Sequence, residues 1–134
     1  MEKHIYTELL NQIILKISGA EKGHDEIIIE LENGEKYKFY HEQRCCEIVK
    51  IADIDGDIQN LIGSPLLQAE AIIYDDETPD TVKVQKDLLS WTWAFYKFAT
   101  IKGYVTIRWY GDSNGCYSER VDFVEYNEST GEWE

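Results

Sequence analysis

The chain has 134 residues, of which 43% are hydrophobic and 13% aromatic, and its formal net charge is −13. This composition excludes intrinsic disorder, because disordered chains lack the aromatic residues that offset the entropy of ordering. No apolar run has the length of a transmembrane helix and the N-terminus lacks a signal peptide, so we expect one cytoplasmic domain over residues 1–134.

The first third predicts a meander of three antiparallel strands. Residues 11–18 and 25–32 are rich in apolar and β-branched side chains, and residues 35–41 alternate charged and aromatic ones. Asn33-Gly34 separates the second strand from the third, and this pair is a strong hairpin signal because glycine accepts positive φ.

The middle third predicts a fourth strand over residues 46–51 and then a short helix near residues 58–62. The segment Asp55-Gly56-Asp57 offers a cap for the start of this helix, and Gly63 and Pro65 end it. A strand in the second half of 66–74 and a charged loop over 75–80 complete this part.

The last third predicts a hairpin of strands 90–100 and 103–110. A second hairpin turn at residues 112–115 leads into a strand over 116–126, and the residues from about 128 form a frayed tail. The expected fold is therefore α+β, a single domain dominated by an antiparallel sheet of about six or seven strands with one short helix.

Aromatic residues alternate along the two strands of the 90–110 hairpin. We expect one face of the hairpin to lie in the core, formed by Trp91, Trp93, Phe95, Val105, Ile107 and Trp109. The opposite face carries Tyr96, Phe98, Tyr104, Arg108 and Tyr110. That face is either a protein interface, since tyrosine and arginine are common at binding hot spots, or a surface that the short helix covers.

A histidine and two cysteines lie within one short segment. His41, Cys45 and Cys46 offer an imidazole and two thiolates, the ligand types that zinc prefers. Adjacent cysteines point to opposite faces of a strand, so both reach one ion only from irregular backbone. Cys116 or Asp53 is the candidate fourth ligand. The alternative is that one cysteine is a core residue and the other a partly exposed thiol.

The three cysteines do not predict a disulfide framework. Their number is odd, and a bridge between Cys45 and Cys46 would close a small strained ring across one peptide bond. We expect reduced thiols in a reducing compartment.

Acidic residues are concentrated in the middle of the chain. Residues 51–82 hold eight acids and no lysine or arginine. Such a surface repels nucleic acid and anionic lipid and attracts basic partners, although solubility alone would also explain it. The candidate partner-binding residues are Asp53, Asp55, Asp57, Asp75, Asp76 and Glu77. The segment from Asp53 is not an EF-hand, because its glycine is fourth rather than sixth.

The sequence lacks the motifs of common enzyme classes. It has no glycine-rich phosphate loop, nucleophile elbow or H-E-x-x-H pair. Cys45 with His41 has neither an orienting third group nor an oxyanion donor. We therefore expect a protein without enzymatic activity.

Two stretches resemble the hallmark blocks of a family of short acidic proteins from phages and prophages. They are HEQRCCEIVKIADIDGDIQNLIGSPLLQAE and FYKFATIKGYVTIRWYGDSNGCYSERVDF, which contain the patterns H-x-Q-x-C-C-E and D-I-x-G-D. The resemblance covers roughly residues 35 to 125. Cys116 stands where many members have tyrosine, which weakens it as a ligand.

The resemblance implies an anti-defence role in the cytoplasm of the host bacterial cell. The expected function is an anti-CRISPR protein that binds a host CRISPR effector through its acidic surface and blocks nucleic-acid loading or cleavage. Its partner would be a nucleic-acid-binding protein, with no direct contact to nucleic acid or membrane, and any zinc would be structural. The alternative is a non-enzymatic phage accessory protein, for assembly or host takeover, with a structural zinc site.

Overall fold

Two antiparallel sheets of five strands each make up the protein in the computed structural model, which describes residues 1–75, 90–114 and 117–134. The strands are β1 Glu2–Ile5, β2 Ile14–Ser18, β3 Glu26–Leu31, β4 Lys36–Tyr40, β5 Ile48–Asp55, β6 Gln68–Asp75, β7 Ser90–Thr100, β8 Gly103–Ser113, β9 Asp122–Asn127 and β10 Glu132–Trp133. One 3₁₀ turn, Ile58–Leu61, lies between β5 and β6.

The expected α+β class is wrong. The predicted helix near residues 58–62 is only the four-residue 3₁₀ turn, and the described residues contain no α-helix. Instead of the expected single sheet of six or seven strands, the described part of the chain forms two sheets with ten strands. No helix within the described ranges is long and apolar enough to span a membrane.

The strand order is β1-β6-β7-β8-β5 in sheet I and β10-β9-β4-β3-β2 in sheet II. The inner faces of the two sheets pack against each other around aromatic rings. The ring of Phe39 on β4 lies 5.1 Å from Tyr96 and 6.0 Å from Phe98, both on β7. Tyr6, which follows β1, contacts Phe39 edge-on at 5.1 Å. The sandwich therefore has one core shared by both sheets.

The predicted meander is present in sheet II. β2, β3 and β4 pair in sequence order, and β3 and β4 flank the Asn33-Gly34 turn. Gly34 has φ of 95°, the left-handed conformation that the hairpin signal requires. Ile27, Ile29 and the other inward residues of β3 are buried, as strict alternation predicts.

The prediction for the faces of the β7–β8 hairpin is wrong on one strand. Thr100 pairs with Gly103, so odd-numbered residues of β7 lie opposite even-numbered residues of β8. Tyr96 and Phe98 therefore share the core face with Ile107. Trp93 is also buried, but it lies on the opposite face of sheet I beside Tyr110, with ring centroids 4.7 Å apart. The turn length fixes the register, and a register shifted by one residue exchanges the faces.

The predicted second hairpin does not form a ladder with β8. β9 pairs with β4 in sheet II, so the chain crosses from one sheet to the other after β8. Gly115 of the predicted turn and Cys116 of the predicted strand lie outside the described residues, as do residues 76–80 of the predicted acidic loop. The segment predicted to fray contains β10, in which Trp133 packs on Tyr126 at 5.2 Å.

The acidic stretch after β5 has a structural role. The carboxylate of Asp57 accepts a hydrogen bond from the backbone N–H of Gln59 at 2.9 Å, so it caps the 3₁₀ turn as predicted. Gly56 has φ of 107°, and a Cβ there would collide with the carbonyl oxygen of Tyr104 on β8. Only glycine lets the chain after β5 pass this close to β8.

Phe39→Ala should strongly destabilise the fold. Phe39 is buried and contacts aromatic residues of both sheets, so its truncation leaves a cavity at the centre of the core. We expect a loss of about 3–5 kcal/mol in the free energy of unfolding, measured by urea denaturation. The matched control is Tyr104→Ala, because Tyr104 is 56% exposed. A loss below about 1 kcal/mol in both variants would contradict the shared core.

Candidate functional site

A buried carboxylate organises the segment from His41 to Glu47. The Oε1 atom of Glu47 accepts hydrogen bonds from the backbone N–H of Cys45 at 2.9 Å, from that of Arg44 at 3.0 Å and from the Gln43 side chain at 3.1 Å. The pKa of Glu47 is lowered, first because of the bond from Cys45 and despite the opposing effect of burial. The segment is thus a loop folded around a carboxylate.

His41 links this loop to the segment that precedes β9. Its Nδ1 atom donates to the backbone carbonyl of Arg120 at 2.9 Å, because a carbonyl oxygen can only accept. Its Nε2 atom lies 3.6 Å from Oε2 of Glu47, and both atoms are buried with no hydrogen-bond partner among the described residues. The imidazole is therefore held between Glu47 and Arg120, at the base of the loop.

The predicted zinc ligands do not converge on one point. Cys45 and Cys46 are both exposed and their sulfurs are joined to each other, whereas His41 is buried and points at Glu47. Asp53 lies on β5 and pairs with Arg108, and Cys116 is outside the described residues. In the described ranges no three histidine, cysteine or acidic residues form a group that could hold a metal ion. This arrangement does not fit tetrahedral zinc.

Because of this arrangement, we expect the purified untagged protein to contain no stoichiometric zinc. Metal content would be measured by inductively coupled plasma mass spectrometry, and EDTA should leave the melting temperature unchanged. The contrary result is about one zinc per chain that is lost in both His41→Ala and Cys45→Ser, which would establish the predicted site.

The predicted partner-binding acids are divided between two regions. Asp53 and Asp55 lie on the outer face of sheet I, where Asp53 pairs with Arg108 and Asp55 accepts a long hydrogen bond of 3.4 Å from Tyr104. Asp57 caps the 3₁₀ turn close by. Asp75 lies on a different strand, β6, and lines a cleft. Asp76 and Glu77 lie outside the described residues.

The cleft opens between the two sheets and has a volume of about 560 Å³. β1, β6 and β7 of sheet I form one wall, and residues 117–123, which lead into β9, form the other. Among the described residues, four carboxylates line it, those of Glu2, Asp75, Glu119 and Asp122. Two basic side chains, His4 and Arg120, also line it, and His4 is paired with Glu2 at 3.0 Å.

A network of hydroxyl groups and carboxylates lies at one end of the cleft. The Thr92 hydroxyl is 2.7 Å from Oε1 of Glu119 and 3.0 Å from Oδ1 of Asp75. A hydroxyl has one hydrogen, so it cannot donate fully to both carboxylates. Ser113 donates to the second oxygen of Glu119 at 2.6 Å. Among the described residues, two carboxylates thus share the one hydroxyl proton of Thr92, and their oxygens are suited to a ligand that supplies N–H groups.

Tyrosines form the inner wall of the cleft. The pKa of Tyr6 is raised to about 12, chiefly by burial, while a hydrogen bond with Tyr96 partly lowers it. The pKa of Tyr96 is raised by burial, by Tyr6 and by the charge of Asp122. Both phenols are therefore neutral at physiological pH and add no charge to the cleft.

The raised pKa of Tyr6 predicts lower stability at alkaline pH. Tyrosine in the unfolded chain ionises near 10.0, whereas folded Tyr6 keeps its proton to about 12. Between these values the folded state holds more protons, so stability falls as pH rises, by up to about 1.4 kcal/mol per pH unit from this group. Tyr6→Phe should reduce this slope in urea denaturation. Equal slopes in the parent and the variant would contradict the shift.

A family model described as a domain of unknown function, DUF7448, matches residues 7–123. The chain belongs to the DUF7448 family. The matched range includes the loop around Glu47, the strands of both sheets from β2 to β8, and the 117–123 wall of the cleft. No curated protein and no solved structure matches the chain.

The DUF7448 match confirms the coarser part of the resemblance, which is membership of an uncharacterised family. The matched range also includes Glu119 and Asp122, two acidic residues that line the cleft. Glu119 and Asp122 were not predicted as site residues, although the chain from Gly111 onward has seven acids and one arginine. Glu2 also lines the cleft and precedes the matched range. The sequence signal for Glu119 and Asp122 was this local excess of acids, and the spacing of the acids does not indicate a site.

Proposed function

We propose that this protein is a stoichiometric inhibitor that binds a basic host protein and has no enzymatic activity. In its specific form, the proposal is a phage-encoded anti-CRISPR protein that binds a nucleic-acid-binding effector and blocks loading or cleavage of nucleic acid. The observation that carries the proposal is the surplus of carboxylates, a net charge of −13 with four acids lining the cleft between the sheets.

Charge complementarity supports a basic protein as the partner. A nucleic-acid channel is lined with lysine and arginine, and a carboxylate-rich protein competes there with phosphates. Beside Thr92 the cleft has the carboxylate oxygens of Asp75 and Glu119, which share the one hydroxyl proton of Thr92, and an arginine or lysine side chain would supply N–H groups to them. The same charge repels nucleic acid itself, so the proposal assigns binding to the protein part of the effector.

The exposed acids at the other end of sheet I support a second area of contact. Asp55 and Asp57 are exposed. Rim charges of this kind increase association rate more than they increase affinity. In the proposed complex the two regions have different roles. The cleft binds a basic side chain of the partner, and the exposed acids around Asp55 increase the rate of association.

The test uses a bacterial strain with an active CRISPR system that rejects a targeted plasmid. Expression of the protein should restore plasmid uptake, and the double variant Glu119→Gln/Asp122→Asn should lose most of this effect. The matched control is Glu21→Gln/Glu32→Gln, which removes the same charge at exposed positions outside the cleft. The melting temperature of each variant would be measured to separate binding from folding.

Binding to the purified effector of that strain should weaken steeply with salt, by about tenfold or more between low and physiological ionic strength. Failure to restore plasmid uptake in strains carrying different CRISPR types would contradict the anti-CRISPR assignment and favour an accessory role in phage assembly or host takeover. Equal loss of activity in the cleft variant and in the control would contradict the cleft as the contact.

A further inference from the structure

The two adjacent cysteines have a geometry that the proposed function does not use. Cys45 and Cys46 lie in the loop between β4 and β5, where the backbone is irregular. In a regular strand, neighbouring side chains point to opposite faces, but here the two sulfurs are on the same side and joined. The expectation of two separate reduced thiols therefore does not match the geometry of the loop.

Glu47 holds the loop in this shape from within. Its buried carboxylate accepts the backbone N–H groups of Arg44 and Cys45, so the peptide leading into the cysteine pair has a fixed orientation. Glu47 is 1% exposed, whereas both cysteines are exposed. The loop thus combines an internal anchor with two cysteines that a small molecule in solution can reach.

We propose that Cys45 and Cys46 form a reversible dithiol–disulfide modification site whose oxidant is a low-molecular-weight disulfide such as glutathione disulfide. The thiolate of one cysteine attacks a sulfur of glutathione disulfide, forming a mixed disulfide and expelling one glutathione thiolate. The thiolate of the other cysteine then attacks the protein sulfur of the mixed disulfide and expels the second glutathione. The pair loses two electrons and two protons, and the oxidant leaves as two thiols.

The test uses the full chain with Cys116→Ser, so that only the pair is present. The reduced, folded protein is incubated with glutathione disulfide, and its intact mass and free-thiol content are measured. We expect loss of two hydrogen atoms, no free thiol and no glutathione adduct, and dithiothreitol should restore both thiols. Cys45→Ser and Cys46→Ser should each retain one glutathione, because no neighbouring thiol remains to displace it.

The contribution of the loop is tested with Glu47→Gln and with its matched control Glu42→Gln, at an exposed glutamate of the same segment. Ring closure should be about tenfold slower or more in Glu47→Gln and unchanged in Glu42→Gln, because loss of the anchor lets the sulfurs separate. If Glu47→Gln does not fold, the folded parent is compared with the urea-unfolded parent chain, in which the disulfide ring of the cysteine pair should also close slowly.

Three results would overturn the proposal. The first is a stable glutathione adduct on the folded pair, and the second is a pair that stays reduced in excess oxidant. The third is ring closure at the same rate in the folded parent and in Glu47→Gln or the unfolded chain, which would show that any adjacent cysteine pair reacts in this way.

Discussion

Packing of one sheet face against another is the constraint on which the rest of this structure depends. Neither sheet can bury its apolar face alone, because the described chain has no α-helix to cover it. Phe39 from sheet II and Tyr96 from sheet I meet at the centre of the sandwich. Where the sheets separate towards β1 and β9, the same arrangement leaves a cleft whose walls come from both layers.

The loop around Glu47 connects this packing to the candidate site. Glu47 is buried and accepts three hydrogen bonds from its own loop, and His41 extends the contact to the carbonyl of Arg120. Arg120 lines the cleft, so the cysteine loop and the cleft are joined by consecutive contacts. Burying the Glu47 carboxylate costs free energy, and the three N–H groups that donate to it offset this cost. An acidic residue can therefore lie inside the fold.

Local signals predicted local structure well. Alternation and the Asn33-Gly34 pair predicted β3 and β4 and their turn. The segment Asp55-Gly56-Asp57 was predicted to supply a cap, and Asp57 caps the 3₁₀ turn. These features depend on residues a few positions apart, whose interactions are present in the sequence itself. The same signals failed for the 112–115 turn, because a turn residue indicates that the chain reverses but does not identify the strand that will pair next.

The sequence by itself determined the strand-rich composition, the acidic charge, the first meander and the dense segment from His41 to Glu47. Only the tertiary structure decided that β9 joins β4, which β7–β8 face is buried, and that Asp75, Glu119 and Asp122 share one cleft. The physical reason is that these outcomes depend on pairing register and on contacts between distant segments. A shift of one residue exchanges the two faces of a strand, and periodicity alone does not fix that register.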